Sequence, residues 1–352
     1  MKLIFLISLL FFNSSYSIGQ KGLDSIKIIS DKTLTKLDSI IKKDGEFNDA
    51  VFLVEQSFSQ NNTAKNNFTG VLKTYKLLAE RGLLNIASKG YKKTDSLNYF
   101  TNIVLNNILT QEVKTTIGGF NITLEPFTYN FADPQGDKDW TNTFVTKLLT
   151  THKGNCRSLT YLYKILADEL GAKCWLALAP NHIYIRNYSK QIGWYNTELT
   201  SGTFPTDAWI AATGYVNTDA IRSSVYMDTL SNQQSIGLCI MDLAQGYIKQ
   251  TNNYTDSFVL KCCNLVLQYH SVNPEALLTK AEALKRMYLK QKEENNPTAH
   301  TTYEEMEQTY ITLVKLGYRE MPYKTYQKWL KTAKQDKEKY QNQRLNATLN
   351  KH

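Results

Sequence analysis

Two neighbouring stretches in the middle of the chain decide the predicted fold. Residues 154–186 read GNCRSLTYLYKILADELGAKCWLALAPNHIYIR, and residues 194–200 read WYNTELT. The first stretch contains an apolar stripe at helical spacing, made of Leu159, Leu162, Leu166 and Leu170. Gly171 follows the stripe at a position where glycine commonly ends a helix. The pattern therefore predicts a helix that begins at about Cys156.

Three strands are predicted after this helix. Residues 174–179 (CWLALA) form an apolar run that is typical of a buried strand. Residues 182–186 (HIYIR) and residues 194–200 alternate between the two faces of a sheet, and a turn is expected over residues 187–193. The order helix, strand, strand, strand places a cysteine at the start of the helix and a histidine at the start of the second strand.

The rest of the chain is predicted to be mainly helical. Apolar residues recur at helical spacing over residues 20–115 and again over residues 251–330. We therefore expect an α+β protein with a central domain, residues 116–250, in which the cysteine-bearing helix packs on an antiparallel sheet between two helical regions. The second helical region resembles degenerate tetratricopeptide repeats, because it has the small and large apolar residues of stacked helical hairpins. A charged tail is expected over residues 331–352.

Composition and charge exclude several classes of protein. The chain has 352 residues, 42% of them hydrophobic, so it is long enough for about two to three domains and is not disordered as a whole. Five cysteines in that length exclude a disulfide-stapled miniature domain. The formal charge of +9 would suit nucleic acid, but six basic and two acidic side chains in residues 331–352 supply a net +4 of it. No platform of interleaved aromatic and basic residues accompanies that charge, so no nucleic-acid partner is predicted.

Residues 1–19 have the features of a secretory signal peptide. Lys2 supplies the positive charge, residues 3–12 form the apolar core, and Ser17 and Gly19 are small residues of the kind that a signal peptidase requires. A core of ten residues is too short to cross a bilayer, which takes about 20. No membrane span is therefore expected after removal of the signal, and an uncleaved anchor at the membrane surface is the alternative. The protein is expected to be secreted or periplasmic.

Few residues remain as candidates for chemistry after a search for common motifs. The chain has no GxxxxGK[ST], HExxH, GxSxG or CxxC motif, which excludes the usual nucleotide hydrolases, zinc peptidases, serine esterases and thioredoxin-like enzymes. No metal site is predicted and no cofactor is expected. The remaining candidates are Cys156, His182, and the polar pair Asn196 and Glu198.

Cys156 occupies the first turn of the predicted helix. Unpaired backbone N–H groups and the positive end of the helix dipole favour the thiolate form of a cysteine at such a position. The backbone N–H of Cys156 could also donate to the oxyanion that forms when a carbonyl is attacked. Gly154, two residues earlier, would let a substrate backbone approach closely.

His182 is expected to share a face of the sheet with a polar residue of the next strand. Asn196 and Glu198 lie on one face of that strand by alternation, and a hairpin would bring one of them opposite His182. The turn length does not fix the register, so the pattern leaves both residues open as the group that orients the imidazole. Either could hold the useful tautomer, with the second ring nitrogen facing the thiol.

Residues 138–200 resemble the transglutaminase-like superfamily of papain-like cysteine enzymes. The positions that match its pattern are Gly154, Cys156, Leu170, Gly171, His182, Trp194, Glu198 and Thr200. The chain departs from the pattern in having a glutamate, Glu198, where the superfamily has an aspartate.

The resemblance implies a role for each candidate residue. Cys156 would be the nucleophile, His182 the base and Glu198 the orienting acid. Asn196 stays the alternate third member, because amides serve in that role in related thiol enzymes. The superfamily also has an oxyanion donor upstream of the cysteine, and Trp140 is a candidate by residue type because its indole N–H is a donor.

The implied function is that of an exported thiol enzyme that cleaves amide or peptide bonds or transfers acyl groups from them. Its substrate would be a protein or peptide, with cell-wall peptides among the candidates. The alternative is a catalytically inactive fold that serves, with its helical regions, as a protein- or peptide-binding module. A third reading pairs Cys156 with Cys174 in a disulfide.

Overall fold

The structure is a mixed α+β fold, which confirms the predicted class at that level. It is a computed structural model that describes residues 20–59, 64–86, 91, 93–117 and 120–335. The predicted signal peptide lies outside the described residues, and so does the charged tail beyond Gln335.

Four helices begin the described chain, as the apolar periodicity predicts. They are Gln20–Lys42 (α1), Phe47–Ser59 (α2), Ala64–Ile86 (α3) and Ser96–Thr110 (α4). Helix α1 packs against α2, and α3 packs against α4. A hairpin follows, in which the strand Val113–Ile117 (β1) pairs antiparallel with Phe120–Leu124 (β2).

Two short strands position the segment before the cysteine. Thr128–Tyr129 (β3) pairs in parallel with Lys153–Gly154 (β4), so this upstream segment is tied to the residues that lead into Cys156. Between the two strands lie a 3₁₀ turn, Trp140–Thr143, and the helix Val145–Thr151 (α5).

The central helix and sheet follow in the predicted order. The helix Cys156–Glu169 (α6) is followed by the strands Trp175–Ala179 (β5), His182–Ser189 (β6) and Gly193–Thr197 (β7). The three strands form an antiparallel sheet in the order β5-β6-β7, and α6 packs on its central strand. Gly171 has a φ of +68°, which is the left-handed conformation expected of a glycine that ends a helix.

The turn between β6 and β7 is shorter than the predicted one. The expected turn over residues 187–193 is wrong in its first half, because Asn187 still pairs with Tyr195 in the ladder. The buried side-chain amide of Asn187 donates to Oγ1 of Thr197 at 2.9 Å. The third strand also ends earlier than expected, because Glu198 leaves the ladder and forms a backbone bridge with Thr203.

Seven helices complete the described chain. They are Asp207–Thr213 (α7), Thr218–Arg222 (α8), Asn232–Thr251 (α9), Ser257–Tyr269 (α10), Pro274–Glu293 (α11), Ala299–Lys315 (α12) and Tyr323–Gln335 (α13). From α9 to α12 each helix packs against the next one, which is the arrangement of stacked helical hairpins. The likeness to tetratricopeptide repeats stays a prediction.

One hydrophobic cluster joins the three regions of the chain. It includes residues from Ile26 in α1 to Leu330 in α13, and α9 packs against both α1 and α2. All five cysteines are buried and free, so the reading that pairs Cys156 with Cys174 is wrong. Among the helices of the described ranges, none has the length and apolar character needed to span a bilayer.

Candidate active site

A capping box fixes the start of α6. The side chain of Asn155 accepts hydrogen bonds from the backbone N–H groups of Arg157 at 3.0 Å and Ser158 at 3.3 Å. Ser158 Oγ in turn accepts from the N–H of Asn155 at 3.1 Å. The N–H of Cys156 has no acceptor among the described residues, so it is available to a ligand oxygen.

Asn142 holds the capped turn in place, although no motif in the sequence marks this residue. Its carbonyl oxygen accepts from the Asn155 N–H at 3.1 Å and from Ser158 Oγ at 3.0 Å. Its side-chain amide donates to the buried carboxylate of Asp133 at 2.7 Å. These bonds connect the start of α6 to the 3₁₀ turn that contains Trp140.

Gly154 is required by local packing, which corrects the expected role in substrate approach. A Cβ atom at this position would lie 2.2 Å from Ser158 Oγ and 3.0 Å from Cδ1 of Leu148. The space beside the glycine is therefore filled by the capping serine and the apolar core. This glycine permits the cap that orients Cys156.

His182 is bound to Glu198, one of the two residues that the pattern left open. The Nε2 atom of His182 lies 2.6 Å from Oε2 of Glu198, and both side chains are buried. The other carboxylate oxygen, Oε1, accepts from the backbone N–H of Thr200 at 2.9 Å. The glutamate side chain therefore reaches the imidazole from a residue just beyond the end of β7.

Asn196, the alternate third member, does not contact His182. Its side-chain amide donates to the carbonyl of Pro205 at 3.1 Å and to Oδ1 of Asp207 at 2.7 Å. Asn196 pairs with Arg186 in the sheet, which places it near the other half of β6. Its role is to tie β7 to the start of α7.

The histidine and the glutamate stabilise each other's charged form. Burial alone would lower the pKa of His182, but the Glu198 carboxylate and the Cys156 thiol raise it to about 10. Burial would raise the pKa of Glu198, yet His182 and the Thr200 N–H hold it below its usual value. At neutral pH the pair is therefore an imidazolium bound to a carboxylate.

Cys156 and His182 lie close together, and the second ring nitrogen of His182 is free among the described residues. With Nε2 occupied by Glu198, Nδ1 is the atom left for the thiol, and it makes no hydrogen bond of normal geometry within the described chain. Cys156 and His182 line the same cavity, and the thiol is near enough to the imidazole to contribute to its raised pKa. Such contacts are often long in the absence of substrate.

A cavity of about 340 Å³ opens onto the two side chains. Its walls come from the start of α6, the turn between β5 and β6, and the helices α9 and α11. The charged groups in the walls are paired: Lys249 with Asp137 at 3.1 Å, and Arg157 with Glu275 at 2.8 Å. A volume of this size is at the lower end of the range for small-ligand pockets.

Arg157 connects the first turn of α6 to the C-terminal helices. Its guanidinium lies 2.5 Å from Oδ1 of Asp242 in α9 and 2.8 Å from Oε2 of Glu275 in α11. Tyr161, one turn along α6, donates to the second oxygen of Asp242 at 2.8 Å. The helix that carries Cys156 is thus held by charge-assisted hydrogen bonds at its start.

Trp140 lines the cavity, as does Cys156. Its indole Nε1 is buried without a hydrogen-bond partner among the described residues and lies against Gly246, where an added Cβ would be 3.4 Å away. The indole N–H therefore lies against α9, and Trp140 stays a candidate oxyanion donor by residue type.

The aromatic face of α13 covers His182 and was not predicted as part of the site. The Trp329 ring packs on the His182 imidazole with 4.5 Å between ring centroids. Tyr326 stacks on Trp329 at 5.9 Å. Cys156 and His182 are each only 9% exposed as a result of this and the surrounding packing.

No metal site emerges from the described ranges, which contain no group of three His, Cys, Asp or Glu side chains able to hold an ion. No family model matches the chain, and neither the curated proteins nor the solved structures contain a match. The likeness to the transglutaminase-like superfamily is therefore still a prediction from the residues.

Proposed function

We propose that the protein is a thiol enzyme that attacks amide carbonyls through Cys156, His182 and Glu198. The observation that carries the proposal is the 2.6 Å contact between His182 Nε2 and Glu198, which leaves Nδ1 to the thiol at the start of α6. The packing of α6 on the antiparallel sheet supports the finer proposal of a transglutaminase-like core.

The proposed reaction has two steps. The Cys156 thiolate attacks the carbonyl carbon, a C–S bond forms, and the Cys156 N–H donates to the developing oxyanion. The C–N bond then breaks, and the proton of the His182 imidazolium passes to the leaving nitrogen. Water or an amine next attacks the thioester and gives its proton to His182. The C–S bond then breaks, which releases the acid or the new amide and restores the thiolate of Cys156 beside the imidazolium.

The cavity supports an uncharged acyl group as the part of the substrate that is bound. Its charged wall residues neutralise each other in pairs, so no unpaired charge is offered to a charged ligand. Amide groups of proteins or peptides, including those of the cell wall, are uncharged. The signal-like N-terminal pattern supports action outside the cytoplasm.

A non-catalytic binding module is the second candidate, and the burial of the site favours it. Cys156 and His182 are largely covered, in part by Trp329. In that case the thiol would behave as an ordinary buried cysteine, and the helical regions would bind a protein or peptide.

Alkylation kinetics separate the two candidates. The rate of Cys156 labelling by iodoacetamide is measured from pH 4 to 10 in the mature wild type and in His182→Ala, with mass mapping to distinguish the five cysteines. The proposal expects labelling that persists well below pH 8.5, the region of an ordinary thiol pKa, and a fall of at least about tenfold at pH 6 in His182→Ala.

The matched control is His270→Ala. His270 is also buried, but it bonds to Asn273 and does not line the cavity. The His270→Ala variant should therefore leave the rate of Cys156 labelling unchanged. An ordinary thiol curve in the wild type, unaffected by His182→Ala, would reject the enzyme and favour the binding module.

A further inference from the structure

Access to the thiol differs on the two sides of the Cys156–His182 pair. On one side lies the cavity, bounded by residues such as Asn181, Gln245 and Leu278. On the other side Trp329 packs on the imidazole, and none of residues 323–332 of α13, whose side chains are described, is among those lining the cavity.

We propose that α13 closes one end of the active site and that Trp329 and Tyr326 thereby determine which amides fit. The substrate would enter through the cavity end-on, with its reacting carbonyl at the end of a chain or of a side chain. A polypeptide that continues past the thiol in both directions would collide with the α13 wall. The inference rests on the proposed function, because it requires Cys156 to be the nucleophile.

The aromatic residues of α13 are built into the core, as a fixed wall requires. Tyr326 and Trp329 are 3% and 5% exposed and belong to the same hydrophobic cluster as Cys156. Tyr326 lies close enough to Tyr129 of β3 for each phenol to influence the other's pKa. The inner face of the helix therefore lies near β3, which pairs with the strand that leads into Cys156.

The connection that precedes α13 is also locked. The amide of Asn217 donates to the carbonyl of Gly317 at 2.5 Å. Gly317 has a φ of +81°, and an added Cβ there would lie 2.6 Å from the backbone nitrogen of Ala220. Met321, just before the helix, is buried. The segment that leads into α13 is thus held against α8 at Gly317 and in the core at Met321.

Two thiol-directed probes test the inference. Both carry the same acetyl-dialanyl acyl side and a vinylogous acceptor. In the short probe the acceptor ends in a methyl ester, and in the long probe it continues into a trialanine amide. Second-order rate constants for Cys156 are measured by mass spectrometry and divided by the rates with free glutathione, which removes the difference in intrinsic reactivity.

We expect the wild type to react at least about tenfold faster with the short probe than with the long one. Trp329→Ala should reduce this ratio to within about threefold. Tyr323→Ala, at a position of α13 that is 72% exposed, should keep the wild-type ratio. If Trp329→Ala does not fold, the ratio of the two rate constants in the wild type alone tests the inference.

Equal rates for both probes in the wild type would overturn the inference and leave the proposed function standing. Failure of both probes while iodoacetamide still labels Cys156 would also overturn it, because the cavity would then not admit an acyl group end-on. Absence of any His182-dependent labelling would instead reject the proposed function itself.

Discussion

Trp329 of α13 packs on the imidazole of His182, with ring centroids 4.5 Å apart and ring planes inclined at 58°. The contact keeps water from the face of an imidazole whose Nε2 is bound to Glu198. Because an ion pair is stronger where water is excluded, the covering helix and the buried pair depend on each other. Measurements of the pKa of His182 and of its effect on stability therefore test the site most directly.

Glu198→Gln should lower the pKa of His182 from its raised value of about 10 toward 6.5. The amide keeps the shape of the side chain but removes the negative charge that favours the imidazolium. Titration of the His182 ring signals by NMR measures the effect. Asn196→Ala is the control, because Asn196 does not contact the imidazole. This variant should leave the pKa of His182 unchanged. Equal effects of both variants would contradict the assignment of Glu198 as the partner.

The His182–Glu198 pair should make stability depend on pH in two directions. The pKa of His182 is raised in the folded state, so its contribution is complete below about pH 6.5 and is lost as pH rises toward 10. The pKa of Glu198 is lowered, so its contribution is present above about pH 4.5 and is lost on acidification.

Urea unfolding of the wild type and of Glu198→Gln between pH 4 and 10 checks this dependence. Near pH 6 the variant should be less stable by about 3–5 kcal/mol, the usual cost of removing one partner of a buried pair. The difference should narrow toward both ends of the range. A constant difference across all pH values would show that the variant acts through packing alone.

Gly154→Ala should destabilise the protein by about 1–3 kcal/mol, because the new Cβ overlaps Ser158 Oγ and crowds Leu148. Ser158→Ala in the same chain should recover part of the loss. The matched control is Gly70→Ala in α3, where an added Cβ meets no atom within 4 Å. It should stabilise by about 0.5–1 kcal/mol, since alanine is the better helix former. Urea midpoints measure all three, and a neutral Gly154→Ala would refute the packing role.

Arg157→Met should cost about 3–5 kcal/mol, because it leaves the buried Asp242 carboxylate without its cation. Adding Asp242→Asn should restore a large part of that stability, since the unpaired charge is then removed. A double-mutant cycle by chemical denaturation gives the coupling between the two side chains. Additive effects would mean that the guanidinium does not anchor α6 to α9 through Asp242.

The sequence by itself determined the elements of the centre and two of its reactive residues. The leucine stripe and Gly171 define α6, and the apolar runs define β5 and the start of β6. These patterns are local, since each depends on side chains within a few residues of one another. The same periodicity placed Cys156 at a helix start and His182 at a strand start, which is where the structure has them.

The tertiary structure decided which groups meet. Asn196 and Glu198 share a face in any register, and only the actual pairing of β6 with β7, together with the departure of Glu198 from the ladder, selects the glutamate. Asn187 stays in β6, where its buried side-chain N–H group donates to Thr197 Oγ1, a contact that alternation cannot reveal. Trp329 reaches His182 from the far end of the chain. Contacts of this kind depend on how elements distant in sequence pack together. The periodicity within one segment therefore cannot predict them.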